Sequence, residues 1–148
     1  MIKANELRQG NLALFSYLHN RESKTRVVTV MEIMEKQCIT NDNGKPLTLF
    51  YKDVSPIPLT PDWLERAGFV KHSNSNEFWT FWQLKNGWAI SESHHNEQSA
   101  GVVLGHFYFS DEYIDMRNVH WLQNFYYFST GEELIFNPAA ADKTREGE

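Results

Sequence analysis

The chain has 148 residues, a formal net charge of −5, 14% aromatic residues and one cysteine. Its length suits one domain, or one domain with a small subdomain, and is enough to bury a substantial core. The lone Cys38 excludes an internal disulfide and a cysteine-rich zinc site, so stability must come from packing, and the expected compartment is a reducing one.

The N-terminal MIKANELRQGN carries Lys3, Glu6 and Arg8 and lacks the apolar core of a signal peptide. No stretch approaches the roughly 18 apolar residues of a membrane span, and the expectation is a soluble cytoplasmic protein with no membrane partner. Asn11–Phe15, Thr25–Met34, Gln37–Thr40 and Leu47–Tyr51 are rich in Val, Ile, Thr and Phe and read as strands. Between the last two, NDNG (Asn41 to Gly44) can reverse the chain, because Asn and Gly tolerate positive φ. Four short strands with tight links predict a small, strongly bent sheet or partial barrel.

PIPLTPDWLERAGF, Pro56 to Phe69, carries the clearest local signal. Thr60 is placed to cap a helix, Pro61 suits its first position, and Asp62 favours the positive end of its dipole. Leu59 and Leu64 take the positions of a hydrophobic staple, and Gly68 followed by Phe69 marks the stop. The prediction is a helix of about two turns over 60–67. Trp63 reads as core rather than groove lining.

FVKH, EFWTFWQL, WAISES and VVLGHFYF follow as strands, joined by SNSN, KNG and the longer HHNEQSAG, which implies an antiparallel meander. Side chains alternate across a strand, so Phe78, Thr80 and Trp82 point one way while Trp79 and Phe81 point the other. Both faces are apolar. Either the strand is covered on both sides, or one face displays Trp79 and Phe81, with Trp88 nearby, to a partner. Fourteen aromatics between Phe78 and Phe128 are many for a small core.

VHWLQNFYYFSTGEELIF closes the folded part. Val119, Leu122 and Phe125 or Tyr126 recur at helical spacing, Asn118 can cap, and Thr130 and Gly131 end a helix over 118–129. ELIF then reads as a short strand ending at Asn137 and Pro138. Gln123 with Tyr127, and His120 with Asn124, are neighbours four apart, and their expected role is to satisfy buried backbone groups. AAADKTREGE, residues 139–148, predicts a disordered tail. The fold class is α+β: a single compact antiparallel β-rich domain over 1–138 with two helices, divisible into a β subdomain at 1–55 and an aromatic-rich part at 56–138.

Enzyme signatures are sparse. There is no GxGxxG, GxxxxGK[ST], HExxH or GxSxG. His94, His95 and Glu97, with His106 on the next strand, could converge on a metal, but adjacent histidines in extended chain face opposite ways, and the simpler reading is a polar loop without metal or cofactor. The acidic cluster Ser110, Asp111, Glu112 and Asp115 could hold a hard cation, but reads as a capped turn. Cys38, in a strand, reads as a small packed hydrophobe rather than a nucleophile.

Charge divides unevenly: residues 1–60 hold eight Lys/Arg against six Asp/Glu, and residues 61–148 hold six against thirteen. The acidic part argues against a general phosphate-binding surface. Arg21, Lys24 and Arg26 lie in or beside a turn, as a solvated hairpin end would.

Three segments, ELRQGN, PIPLTPDWLERAGF and VHWLQNFYYFSTGEEL, together resemble a group of small bacterial and phage-encoded proteins. These share an LRxGN start, an IPLTxxWLxxxGF centre and a VHxLQNxYxxxTGEEL ending. The resemblance covers roughly residues 6–11, 56–69 and 119–134 and implies common ancestry. It carries no activity and no site residue, and its phage association implies only an accessory or host-directed protein.

Three functional expectations follow. The first is a non-enzymatic protein-interaction module, an accessory factor or inhibitor, with Trp79, Phe81, Trp88, His94 and His95 as candidate contacts inside an acidic rim and another protein as partner. The second is nucleic-acid binding through Arg8, Arg21, Lys24 and Arg26, with Phe15 or Tyr17 stacking on bases. The third is a metal-dependent hydrolase at the His94, His95 and Glu97 loop.

Overall fold

A computed structural model gives the fold and describes residues 2–94, 106–109 and 114–137. The chain is α+β and β-rich. In order it forms β1 (Leu12–His19), β2 (Glu22–Ile33), β3 (Gln37–Asp42), β4 (Lys45–Phe50), β5 (Val54–Ser55), α1 (Pro61–Arg66), β6 (Val70–Lys71), β7 (Trp79–Gln83), β8 (Ala89–Ser93), β9 (His106–Phe109), β10 (Ile114–Asp115) and α2 (Val119–Thr130). Among the described residues these strands make two antiparallel sheets, β4-β3-β2-β1-β5 and β10-β9-β8-β7-β6. No helix among the described residues is long and apolar enough to cross a membrane.

The chain divides into two compact units, Met1–Pro58 with Asn118–Glu133, and Leu59–Arg117 with Leu134–Glu148. The first unit is built on the first sheet. Ala13 lies opposite Val28, Val30 opposite Thr40, and Cys38 opposite Leu49, and all six are buried on one face. Ile2, Leu7, Tyr51 and Val54 complete that core. Cys38 is fully buried, and burial pushes its thiol pKa up, as befits a packed hydrophobe. The strands are longer than the sequence predicts, because two two-residue turns let the pairing run to the hairpin tips. Asn43 and Gly44 have φ of 52° and 87°, the turn that NDNG predicts, and Asn41 Oδ1 accepts the Gly44 N–H. Asn20 and Arg21 make the corresponding turn between β1 and β2 with φ of 53° and 68°. Between β2 and β3 the register slips at Met31, leaving a bulge that bends the sheet.

α2 belongs to this first unit by its contacts, although it follows the aromatic-rich segment in sequence. It starts at Asn118, which has extended backbone and bridges Pro58, and it ends at Gly131 in the left-handed conformation. Asn118 makes no side-chain cap bond; the bridge to Pro58 and the Val119 N–H donated to Ile57 C=O (2.9 Å) hold the start instead.

In the second unit α1 opens at Pro61, with Thr60 at the cap position but no side-chain cap bond. Its end follows the expected pattern. The Gly68 N–H donates to Glu65 C=O, the Phe69 N–H donates to Leu64 C=O, and φ of 93° at position 68 is accessible to glycine without strain. Trp63 is half-buried, edge-on to Phe136 with ring centroids 5.4 Å apart and with the Arg66 guanidinium over its face. The strands beyond α1 form the expected meander. One expectation fails: ELIF is not a strand, and residues 133–137 are irregular. Their backbone is engaged elsewhere, since the Asn137 N–H donates to Arg66 C=O at 2.7 Å and Arg66 Nε returns a bond to Asn137 C=O at 3.1 Å. The 139–148 tail, the acidic cluster at 110–113 and the 95–105 loop, with His95 and Glu97, lie outside the described residues.

Candidate functional site

Three surfaces can be assembled from the candidate residues. The first is on β7. Asn76 accepts the N–H groups of Phe78 and Trp79, and Ser75 Oγ accepts that of Phe81, so this strand enters from a turn closed by side chains. Thr80 and Trp82 are buried, and Trp79 and Phe81 are half-buried on the opposite face, so the two faces alternate as predicted. Trp88 packs edge-on against Phe69 at 6.0 Å. Phe81 also lines a small depression of about 240 Å³ with His72, Asn74, Gln83 and Ala89.

His94 meets the buried face of β7 at Thr80. Glu92 lies opposite Thr80 in the register, and these buried-face residues gather His94: Thr80 Oγ1 is 2.7 Å from His94 Nε2, and Glu92 Oε1 is 3.8 Å from the same nitrogen. Glu92 Oε2 accepts the Trp82 indole N–H at 2.9 Å. A nucleophile–base–acid relay needs the hydroxyl and the carboxylate on different imidazole nitrogens, whereas here both address Nε2. The arrangement suits a buried polar cluster whose carboxylate accepts the Trp82 indole N–H and whose hydroxyl meets His94. Among the described residues no group of three His, Cys, Asp or Glu side chains is placed to hold a metal.

The second surface is α2, which has no charged residue in its 12 positions. Two of its polar side chains explain its phase. Gln123, buried, accepts the Leu12 N–H at 2.8 Å and donates to Gly10 C=O at 3.1 Å. Asn124 donates to Glu6 C=O at 3.0 Å and accepts from Asn11 Nδ2 at 2.8 Å, while Asn11 Oδ1 accepts the Arg8 N–H at 2.7 Å. Arg8 forks onto both carboxylate oxygens of Glu133 and covers the Tyr127 ring at 4.2 Å. Glu133 is held below the usual carboxylate range by its bond to Arg8, and Arg8 is pushed up by the same bond. One member of each expected pair, Gln123 and Asn124, thus satisfies backbone groups, whereas Tyr127 lies under Arg8 and His120 makes no such bond.

His120 is different. It is 1% exposed, and neither ring nitrogen has a hydrogen-bond partner. Burial pushes its pKa down to about 4, against a smaller opposing pull from the Glu6 charge, so the ring is neutral near pH 7.

With Val119, Leu122 and Tyr126 turned inward, α2 leaves Trp121 46% and Phe128 79% exposed, with half-buried Phe125 between them. The sequence reading takes this helix for core and assigns display to β7. The exposed rings of α2 are the residues it misses.

The third surface is the basic part of the first unit. Arg26 Nε donates to the Tyr17 hydroxyl at 3.0 Å, its NH1 pairs with Asp42 at 3.1 Å, and its guanidinium covers the Tyr17 ring. Those contacts raise the Arg26 pKa, the Tyr17 bond contributing most. Phe15 stacks on Tyr17 at 5.4 Å. Lys24 sits opposite Tyr17 in the register, and Arg21 is at the hairpin tip. Arg8 and Arg26 are therefore committed to carboxylates, and the Tyr17 ring is contacted by both Arg26 and Phe15. Comparison with protein-family models, with curated proteins and with solved structures gives no match.

Proposed function

We propose that the chain is a non-enzymatic protein-binding module, an accessory or host-directed factor, whose anchor is the outer face of α2. The observation that carries this reading is the spacing of Trp121, Phe125 and Phe128, at i, i+4 and i+7, with the outer two rings well exposed. An amphipathic helix docks into an apolar groove through that pattern, and Trp is among the residues that dominate interface energetics. Two exposed rings on an uncharged helix are unfavourable in water unless another surface covers them.

The charge around α2 supports one kind of partner. No Lys or Arg lies in the helix, its C-terminal end carries the negative pole of the dipole, and Glu132 follows directly. The complementary surface is an apolar cleft with a basic edge at one end. The half-buried Trp79, Phe81 and Trp88 form a secondary surface in this reading.

The test is a partner captured from bacterial lysate and then purified. Trp121→Ala with Phe128→Ala is expected to weaken its binding at least about 30-fold, while thermal unfolding of the chain stays unchanged. Equal binding by the wild type and this pair would overturn the assignment. Loss on Trp79→Ala with Phe81→Ala alone would move the anchor to β7.

A further inference from the structure

The first unit carries a separate feature that neither the α2 surface nor the four candidate cations use. Where β4 passes into the turn at Tyr51–Asp53, Lys36, Phe50, Tyr51 and Lys52 line a depression of about 350 Å³. The register makes it: Gln37 lies opposite Phe50, which brings the preceding Lys36 beside a ring fourteen residues later in the chain. Phe50 is 55% exposed. The Lys52 ammonium is 5.9 Å from its ring centroid. Tyr51 is buried and donates its hydroxyl to Met34 C=O at 2.6 Å, so its ring is a fixed wall. Glu35 and Asp53 adjoin these residues in sequence, but neither lines the depression.

We propose that this depression binds single-stranded nucleic acid, one base stacking on Phe50 while the adjoining phosphates meet Lys36 and Lys52. An exposed aromatic ring, one face turned to the Lys52 ammonium and with Lys36 in the same depression, is the combination by which single strands are held without sequence preference, the base taking the other face. The lysines reach out from the part of the chain whose balance is positive, eight Lys/Arg against six Asp/Glu over residues 1–60. Its lining side chains include no amide to read base edges, which favours tolerance of sequence. An acidic peptide would satisfy the same lysines, but an extended peptide gains affinity by pairing with a sheet edge. β4 is the edge strand, and Pro46 removes a donor from it. A stacked base needs no such pairing.

The experiment is fluorescence anisotropy of a labelled oligothymidylate about 12 nucleotides long, titrated with the full chain at about 50 mM salt and again at about 200 mM. Binding is expected at the lower salt and weaker binding at the higher. Phe50→Ala should weaken it at least about fivefold, and Phe50→Tyr should retain it, because the ring is kept. Lys36→Gln with Lys52→Gln should lower the slope of log affinity against log salt by about 1.4. A circular dichroism melt confirms that each exposed-site variant is folded. No binding at the lower salt, or wild-type affinity in Phe50→Ala, would overturn the proposal. So would equal affinity for a duplex of the same length, which reports charge attraction without stacking. Displacement of the oligonucleotide by polyglutamate at equal charge would assign the site to acidic peptides instead.

Discussion

His120 and Gln123 lie three residues apart on the buried side of α2, and both are polar, yet they contribute oppositely. Gln123 closes two backbone groups at the start of β1, so its burial is compensated at both ends of the amide. His120 is buried with both nitrogens unmet, and it is stable only while neutral. An unfolded histidine titrates near 6.5, whereas this one titrates at about 4. Between those values the unfolded chain binds the proton and the folded chain does not, so stability is full above about pH 6.5 and falls as the pH is lowered toward 4. The loss attributable to His120 is about 3 kcal/mol at the lower end. Denaturant unfolding across this range should show that slope, and His120→Leu should flatten it; an unchanged slope in the variant would exclude His120 as its source. The Arg8 fork to Glu133 and the Asn11 pair with Asn124 have a further meaning. They bind LRQGN, near the start of the chain, directly to VHWLQNFYYFSTGEEL, near its end, within the first unit.

Among the elements, the two hairpin turns of the first sheet provide an internal comparison. Both are two-residue turns with positive φ at both positions. Asn43–Gly44 has the residue pair that such a turn favours, and NDNG announces it in the sequence. Asn20–Arg21 places a long side chain where the left-handed conformation costs about 1–2 kcal/mol. Arg21→Gly should therefore raise stability by about 0.5–1 kcal/mol, once the extra freedom of glycine in the unfolded chain is subtracted. An upward shift of the denaturant midpoint with an unchanged slope is the expected result; a downward shift would mean that Arg21 makes a contact worth more than the strain. The same contrast explains why the sequence predicts one hairpin sharply and leaves the other as a diffuse turn.

At the scale of the whole molecule, elements that depend on local chemistry were legible in the sequence. α1 was marked by Pro61 and Gly68, the meander by its short links, and the end of α2 by Gly131. What depends on distant partners was not. Apolar rings surround α2 on nearly every side, so periodicity alone cannot say which ones face outward; Gln123 and Asn124 set that phase through bonds to residues more than a hundred positions away. Lys36 and Phe50 become neighbours only through the β3–β4 register. ELIF has strand composition but finds its hydrogen bonds at the end of α1. The division into units has its own test. Pro58 bridges Asn118, so the two ends of the first unit's interruption are adjacent. A chain ending at Glu133 in which an Asn-Gly turn replaces Leu59–Arg117 should fold as an antiparallel sheet with α2 and melt cooperatively. A non-cooperative melt would show that the first unit is not self-supporting.

That adjacency has a genetic consequence. On either side of the Pro58–Asn118 bridge, the Val119 N–H donates to Ile57 C=O and the Leu59 N–H to Arg117 C=O, both at 2.9 Å, so the chain departs and returns through one short backbone ladder. A recombinant that keeps this ladder and replaces residues 60–116 is expected to retain the first sheet and α2, a loss of cooperative unfolding being the contrary result.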